Sequence, residues 1–514
     1  MNVPLTLVDF LDRSALHGDR VALVDEPAGP ASLGQVTHRG LWRRAAGMAH
    51  ELARMGIGPG ERVAIVSPNS ARLAVALFGV SAFGRVLVPV NFRLNADEVA
   101  YVVGHSGARV LLVDPELDAP LAAVRAEHRI LLDGDQDAAL FAGADDPPPA
   151  WEPDEDATAT INYTSGTTAR PKGVQLTHRT LVLHAMSIGW HLGVSARDTY
   201  LHTLPLFHAN GWGLPYACVA MGTPQVILRR VDGAEILRRV ERHGVTLMCG
   251  APAVADAIVA AAESAGIPHG AAPGAGRARI FVGGATPPSS TVQRVEERLG
   301  WEFMHGYGLT EAAPLLTVNR RRPEEDALDP GERAHRMTSQ GIAAIGVRVR
   351  VGDDGELLAR SNHVFAGYWE QPRESAEALA GGWLRTGDGA RIDDDARVTI
   401  TDRRKDVIVT GGENVSSIEV EDHLRAHPDV LDCAVIGVPD ERWGEAVLAI
   451  VTLRDGRAPG EDDLIAHCRG RMAGFKVPRR VEIRDALPRT ATGKVQKFLL
   501  RAPYWGAESS RTAM

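Results

Sequence analysis

Short apolar runs alternate with segments of helical periodicity through the first part of the chain. Val63–Ser67, Val86–Val90 and Arg109–Val113 have the composition of buried strands. The segments between them, Ala71–Phe83 and Asn95–His105, have the spacing of helices. This alternation is the βαβ rhythm, and it predicts a mostly parallel sheet flanked by helices.

The same rhythm continues beyond an acidic, proline-rich connection at Ala142–Asp156, which is expected to lie at the surface. A helical pattern begins near His178. Further strands are predicted at Thr158–Tyr163, Tyr200–Thr203, Val226–Leu228, Leu247–Gly250 and Arg279–Val282.

The pattern changes after about residue 345, where short strands lie between Gly and Asp turns. Strands are predicted at Gly346–Val351, Gly355–Arg360 and Val398–Thr401, followed by a polar linker at Thr401–Asp406. The remaining residues have the pattern of a compact α+β unit. We therefore expect an α/β protein: a large body with parallel sheets and a small β-rich subdomain in residues 1–402, and a small mobile domain in residues 403–514.

The charge balance argues against a nucleic-acid-binding protein. The 514 residues include 56 Lys and Arg against 65 Asp and Glu, a net charge of −9, whereas nonspecific nucleic-acid binding needs a basic surface. The longest apolar stretch, Leu73–Gly84, is shorter than the ~20 residues of a membrane span. The four cysteines form no CxxC pair, which favours free thiols in a reducing compartment and hence a cytoplasmic location.

The segment from Tyr163 to Gly173 has the chemistry of a phosphate loop. Gly166 supplies a hinge and Lys172 a point charge, so a polyphosphate would meet both donors and a cation. A Walker A loop would place Ser or Thr after the lysine, whereas here Pro171 precedes it and Gly173 follows. The loop is therefore of another kind, and its hydroxyls are those of Thr164, Ser165, Thr167 and Thr168.

This segment resembles the phosphate loop of the ANL adenylate-forming superfamily, which includes acyl-CoA synthetases, peptide-synthetase adenylation domains and beetle luciferases. Ala169 stands where the family usually has Gly, which implies a slightly stiffer loop because Ala resists positive φ. Other motifs follow in the family's order over nearly the whole chain. The resemblance implies the ANL fold and a large lobe joined to a mobile C-terminal domain.

The resemblance also implies a nucleotide site. Gly306–Glu311 is similar to the second ATP motif, in which Tyr307 stacks on adenine, Thr310 donates to the α-phosphate and Glu311 is a hard oxygen ligand for Mg²⁺. Asp388 would accept from the ribose hydroxyls, with Arg403 on the ribose and Lys405 as the hinge. The remaining residues implied to line the nucleotide are Gly283, Gly284, Ala285, His305 and Gly306.

Six further residues carry the implied chemistry of the acid and the acceptor. Lys494 matches the adenylation lysine, which the small domain brings to the α-phosphate. His208 helps accept the carboxylate, and Trp212 matches either a gating tryptophan of long-chain fatty acyl-CoA synthetases or plain core. The loop that would line the coenzyme A tunnel contains Gly411, Gly412 and Glu413.

The implied activity is an ATP-dependent acyl-CoA ligase with a medium- or long-chain fatty acid as its substrate. Carboxylate and MgATP give acyl-adenylate and pyrophosphate, and coenzyme A then displaces AMP after the small domain rotates. The partners are small molecules, and a homodimer is left open. One alternative is an enzyme that adenylates an aryl acid or a small oxyacid such as nitrite and transfers it to an amine. Another is a nucleotide-binding regulator without turnover.

Overall fold

The computed structural model contains four β-sheets with helices packed on them. It describes residues 3–26, 32–164, 171–403, 406–410, 413–440, 442–469, 471–489 and 495–505. The side chains of residues 402, 403 and 414 lie outside this description.

A seven-stranded sheet forms one part of the large body. In spatial order its strands are β18 (Gly367–Tyr368), β8 (Lys172–Thr177), β7 (Thr158–Thr164), β4 (Val86–Val90), β3 (Arg62–Val66), β5 (Val110–Val113) and β6 (His128–Leu131). The strands from β7 to β6 are parallel to one another, whereas β8 pairs antiparallel with both β7 and β18. The phosphate loop joins β7 to β8 and is therefore the connection of an antiparallel hairpin.

A nine-stranded sheet forms a second part of the large body. In spatial order its strands are β15 (Ile342–Ala343), β14 (Leu315–Arg320), β13 (Glu302–Gly308), β12 (Arg279–Val282), β11 (Leu247–Gly250), β9 (Tyr200–His202), β10 (Gln225–Ile227), β1 (Val21–Asp25) and β2 (Gly34–Thr37). The strands from β13 to β1 are parallel to one another. At one edge β14 and β15 continue the sheet by antiparallel pairing, and at the other edge β2 pairs antiparallel with β1.

Two smaller sheets follow in the chain. The first is antiparallel and contains β16 (Val347–Val351), β17 (Glu356–Ser361), β19 (Leu384–Ile392) and β20 (Val398–Arg403). The second contains β22 (Glu413–Val415), β21 (Ile408–Thr410), β24 (Gly444–Leu453) and β23 (Val430–Asp440), with β25 (Arg480–Ile483) parallel to β24. The second sheet has its own buried apolar cluster, as expected for a separate folding unit.

The helices cover the sheets, and several of them begin at a side chain that caps the first turn. Asn95 and Glu98 form a reciprocal capping box at the start of one of these helices. The helices are α1 (Leu7–Leu16), α2 (His38–Arg54), α3 (Ala71–Gly79), α4 (Ala96–Ser106), α5 (Ala138–Phe141), α6 (His178–Leu192), α7 (Ala209–Trp212), α8 (Leu214–Met221), α9 (Gly233–His243), α10 (Pro252–Ser264), α11 (Ser289–Arg294), α12 (Pro330–Met337), α13 (Pro372–Ala378), α14 (Ser417–Arg425), α15 (Glu461–Arg469) and α16 (Lys497–Trp505). Within the described residues, no helix combines the length and apolarity that a membrane crossing requires.

The predicted α/β architecture, with parallel sheets and a small C-terminal unit, is confirmed. Three strands, β4, β11 and β12, have the predicted bounds. The helix expected after the phosphate loop begins at His178 as predicted, but the strand β8 lies between the loop and this helix. The polar segment expected to be a linker is also partly a strand, because β20 extends to Arg403 and spans the predicted boundary at residue 402. That boundary stays a prediction.

Asn69 connects the segment before α3 to the loop that leads from β9 to the candidate site. Its side-chain amide donates to the carbonyls of His202 and Leu204 at 3.1 and 2.7 Å, and its oxygen accepts from the backbone N–H of Leu206 at 2.8 Å. The Asn69 side chain is buried, so these bonds replace water for three backbone groups. It therefore fixes the loop that reaches His208.

We expect Asn69→Ala to lower the free energy of unfolding of the large body by about 3 kcal/mol, because it leaves three buried backbone groups without a partner. The measurement is denaturant unfolding followed by tryptophan fluorescence. Asn95→Ala is the matched control, since it removes only an exposed helix cap and should cost about 1 kcal/mol. Equal losses in the two variants would contradict the assigned role of Asn69.

Candidate active site

The β7–β8 hairpin places one end of the phosphate loop beside the other. Thr164 is the last residue of β7 and lies opposite Lys172, the first residue of β8. Both side chains are half-buried. Four loop residues between Thr164 and Lys172 are predicted to bind phosphate but lie outside the described residues. They are Ser165, Gly166, Thr167 and Thr168.

Tyr368 joins this hairpin to the second predicted ATP motif. The Lys172 ammonium lies over the Tyr368 ring, 4.7 Å from its centroid. The Tyr368 hydroxyl donates to Oε1 of Glu311 at 2.9 Å. Burial, followed by the neighbouring charge of Glu311, raises the pKa of Tyr368 well above its usual value, so this phenol stays a neutral donor. The structure thus brings the predicted phosphate cation and the predicted metal ligand to one aromatic ring.

Tyr307 makes a similar contact with Asp388. The Tyr307 hydroxyl donates to Oδ2 of Asp388 at 2.5 Å, and Asp388 is buried. Asp388 in turn lies opposite Arg403 in the β19–β20 pair. The neighbouring Arg385 has a different role: it pairs with Asp354 and Glu356 and stabilises the turn before Asp388. Two sequence-predicted nucleotide residues are therefore in direct contact.

The ends of β12 and β13 leave room for a close approach by Trp212. A Cβ atom on Gly283 would lie 2.9 Å from the Trp212 ring and 3.1 Å from the Gly306 carbonyl, so only glycine fits there. The Trp212 ring also contacts Phe281 edge-to-face, with centroids 6.0 Å apart. Trp212 is 6% exposed and belongs to the main core cluster. Its indole lies against the strand ends predicted to line the adenine.

The backbone that carries Trp212 turns with the opposite hand to an ordinary helix. Ala209, Asn210, Gly211, Trp212 and Gly213 all have positive φ, between 34° and 75°. This conformation costs roughly 1–2 kcal/mol for each residue with a Cβ. Its cost is offset by buried contacts, among them a 3.0 Å hydrogen bond from Asn210 to the Thr160 hydroxyl. Strain of this kind is typical of functional sites.

His208 and Thr310 lie at the starts of two turns beside this region. His208 is half-buried and immediately precedes the left-handed turn, and its backbone N–H donates to Pro205 at 3.1 Å. Thr310 is buried and begins the short helical turn that contains Glu311. Gly284 and Ala285 follow Gly283 at the end of β12.

His305 has a protein partner for one of its ring nitrogens. The ring is 1% exposed, and Nδ1 lies 2.9 Å from the Ser339 carbonyl. Burial lowers the pKa of His305 to about 4, with neighbouring backbone carbonyls opposing that shift. The predicted contact of His305 with the nucleotide stays a prediction.

Several predicted residues lie outside the described part of the chain. These are the hinge Lys405, the lysine Lys494 and the coenzyme A loop residues Gly411 and Gly412. The backbone of Arg403 is described in β20, but its side chain is not. Glu413 begins β22, opposite Thr410, and is exposed.

Tyr368 and Asn210 were not predicted from the sequence. Tyr368 lies in a two-residue strand, which is too short to give a periodic signal. Asn210 is flanked in the sequence by Ala and Gly. Its contact with Thr160, 50 residues away in the chain, could not be predicted from these flanking residues. A polar residue inside an apolar segment is the one available signal for Asn210.

Comparison with known families agrees with this geometry. The family model for AMP-binding enzymes matches residues 10–369, and the model for the AMP-binding enzyme C-terminal domain matches residues 419–494. The chain belongs to the AMP-binding enzyme family. It is an adenylate-forming acid–thiol ligase, whose substrates are a carboxylic acid, ATP and coenzyme A and whose metal cofactor is Mg²⁺.

The relatives of this AMP-binding enzyme include ligases of small acids. A 2-methylpropanoate–CoA ligase from Humulus lupulus is 35% identical, with 97% of this chain and 95% of the relative covered. A peroxisomal acetate/butyrate–CoA ligase from Arabidopsis thaliana is also 35% identical, covering 97% and 94%. Among solved structures, the anthranilate CoA ligase AuaEII in complex with anthranoyl-AMP has a TM-score of 0.86 at 26% identity and covers 98% of each chain.

The buried His305 predicts a dependence of stability on pH. Its pKa rises from about 4 in the fold to the ordinary 6.5 on unfolding, so stability present above pH 6.5 is lost as the pH falls towards 4. We expect His305→Gln, which keeps a polar side chain, to reduce this loss by up to about 3 kcal/mol. The measurement is denaturant unfolding between pH 7 and pH 4.5, with the exposed His269→Gln as control. Identical pH profiles in all three proteins would disprove this assignment.

Proposed function

We propose that this enzyme ligates a small aliphatic carboxylic acid, of acetate to butyrate size, to coenzyme A. The supporting observation is the position of Trp212, whose indole is buried against Phe281 and Gly283, four residues after the half-buried His208 in the chain. A buried indole at this point occupies volume that a longer acyl chain would need. The names of the two plant relatives, with 2-methylpropanoate and acetate/butyrate, support the same substrate class. The expectation of a medium- or long-chain acid stays the competing prediction.

In this proposal, the nucleotide lies across the ends of three sheets. Lys172 and the loop hydroxyls bind the phosphates, Asp388 and Arg403 bind the ribose, and Tyr307 packs on the adenine. Tyr307 also orients Asp388, because its hydroxyl holds one carboxylate oxygen in place.

The residues present fit a magnesium ion bound through Glu311. The described residues contain no group of three or more His, Cys, Asp or Glu that could form an all-protein cage. Mg²⁺ usually binds through one or two carboxylates together with substrate phosphates and waters, so one oriented carboxylate is sufficient. The bound ion would neutralise charge on the triphosphate.

The first half-reaction is an in-line displacement at the α-phosphate. A carboxylate oxygen of the acid, held near His208, forms a bond to phosphorus while the bond to the bridging oxygen breaks and pyrophosphate leaves. Lys172 and, in this proposal, Lys494 stabilise the negative charge that grows on the phosphate oxygens. The enzyme needs no covalent nucleophile for this step.

The second half-reaction transfers the acyl group to sulfur. The coenzyme A thiol loses its proton, sulfur bonds to the acyl carbon, and AMP leaves with the electrons of the broken bond. Rotation of the small domain at Lys405 would exchange Lys494 for the loop that begins at Gly411. All four cysteines are free and buried, which supports a reducing compartment such as the cytoplasm.

The acid preference is tested by replacing Trp212. We expect the wild-type enzyme to have its highest kcat/KM with acids from acetate to butyrate, and Trp212→Gly to raise the octanoate-to-butyrate ratio of kcat/KM by at least about tenfold. Glycine suits the positive φ at this position, so the turn should persist. The measurement is AMP release with coenzyme A across a series of acids that includes benzoate.

Trp190→Ala is the matched control, because Trp190 is an exposed tryptophan in α6. A wild-type optimum at octanoate or longer acids, with an unchanged ratio in Trp212→Gly, would support the longer-chain alternative. A preference for benzoate would support the aryl-acid alternative.

The role of Tyr307 is tested with Tyr307→Phe. Loss of a hydrogen bond to a charged acceptor should raise the KM for ATP about tenfold. Because the bond orients the proposed ribose ligand Asp388, the discrimination between ATP and 2′-deoxy-ATP should also shrink in the variant. The measurement is ATP–pyrophosphate exchange with each nucleotide. An unchanged discrimination would show that Tyr307 does not act through the ribose contact.

A further inference from the structure

Tyr368 contacts two oppositely charged side chains through different parts of its own side chain. Its hydroxyl faces Glu311 at 2.9 Å, and its ring face lies 4.7 Å from the Lys172 ammonium. A direct Lys172–Glu311 ion pair would use up both the phosphate cation and the metal ligand of the proposed site. The phenol instead contacts each charged group by a different part of one side chain.

The backbone around Tyr368 fixes the position of its ring. Tyr368 pairs with Val174 in the β18–β8 ladder, and its N–H donates to the Ser375 hydroxyl at 2.8 Å. Phe365 packs edge-to-face on the ring, with centroids 4.9 Å apart, and its N–H donates to the Glu311 carbonyl at 2.8 Å. One short segment thus holds both the phosphate hairpin and the turn that contains Glu311.

The two contacts of Tyr368 have different physical origins. A phenol hydroxyl that donates to a carboxylate is a charge-assisted hydrogen bond, which is strong and directional. An ammonium over an aromatic face is attracted by the ring quadrupole and depends on the ring alone. Substitutions can therefore remove one contact and keep the other.

We propose that Tyr368 is a positioning residue for adenylation, which orients the Glu311 carboxylate through its hydroxyl and the Lys172 ammonium through its ring. This inference rests on the proposed function, in which Glu311 binds the metal and Lys172 binds phosphate. Tyr368 does not touch the reacting atoms. It sets the separation of the two groups that do.

The test compares Tyr368→Phe with Tyr368→Leu. In Tyr368→Phe the ring remains and only the donor is lost, so the Mg²⁺ concentration for half-maximal pyrophosphate exchange should rise about tenfold. ATP affinity measured calorimetrically in EDTA should stay within about twofold of wild type. Tyr368→Leu also removes the ring, so ATP affinity in EDTA should fall as well.

Tyr504→Phe is the matched control, since Tyr504 donates to Glu482 at 2.6 Å in the C-terminal part of the chain. It should leave both readouts unchanged. A Tyr368→Phe enzyme with wild-type Mg²⁺ dependence would overturn the inference. The inference would also be overturned if Tyr368→Phe weakened ATP affinity in EDTA by the same factor as it raised the half-maximal Mg²⁺ concentration. A purely structural role would affect both readouts.

Glu311→Gln separates this inference from the proposed function. If Glu311→Gln alters the Mg²⁺ dependence and Tyr368→Phe does not, the role of Tyr368 is wrong while the metal assignment holds. If Glu311→Gln itself leaves the Mg²⁺ dependence unchanged, the proposed metal ligand is wrong. Thermal unfolding midpoints within a few degrees of wild type establish that each variant is folded.

Discussion

Two tyrosine–carboxylate hydrogen bonds join the three sheets that meet at the active site. Tyr368 of the seven-stranded sheet donates to Glu311, which follows the last parallel strand of the nine-stranded sheet. Tyr307 of that same strand donates to Asp388 of the four-stranded sheet. Bonds to ionised acceptors are about twice as strong as neutral ones. In the proposed function, the relative positions of Lys172, Glu311 and Asp388 depend on these two bonds.

The overall charge of the chain opposes the binding of a polyphosphate. With a net charge of −9, the protein has more acidic than basic groups, yet its substrate is a polyphosphate. Arg385 is paired with Asp354 and Glu356 and stabilises the turn before Asp388. Lys172 instead rests on an uncharged aromatic face, and within the described residues no ion pair joins it to an acid. A cation held in this way can act on phosphate.

Local patterns predicted many strands but few helices of the large body, whereas contacts between distant elements could not be predicted. The apolar runs of β11 and β12 gave their bounds, because a buried parallel strand needs an uninterrupted apolar sequence. The alternating β8 was missed because six residues beside a dominant motif give a weak two-residue period. Motif resemblance identified Tyr307 and Asp388 separately. Their contact across 81 residues follows from sheet packing, which no local pattern contains.

The left-handed turn before α8 explains why the orientation of the Trp212 indole could not be predicted from the sequence. In a right-handed turn the Trp212 indole would point in another direction. The sequence alone therefore does not tell whether this tryptophan leaves an acyl channel open or fills it. Propensity opposes the turn at Ala209, Asn210 and Trp212, and the buried bond between Asn210 and Thr160 helps to hold it. Tertiary contacts therefore decide the orientation of the indole against Gly283. In the proposed function, substrate size depends on the hand of this backbone as well as on the identity of the side chain.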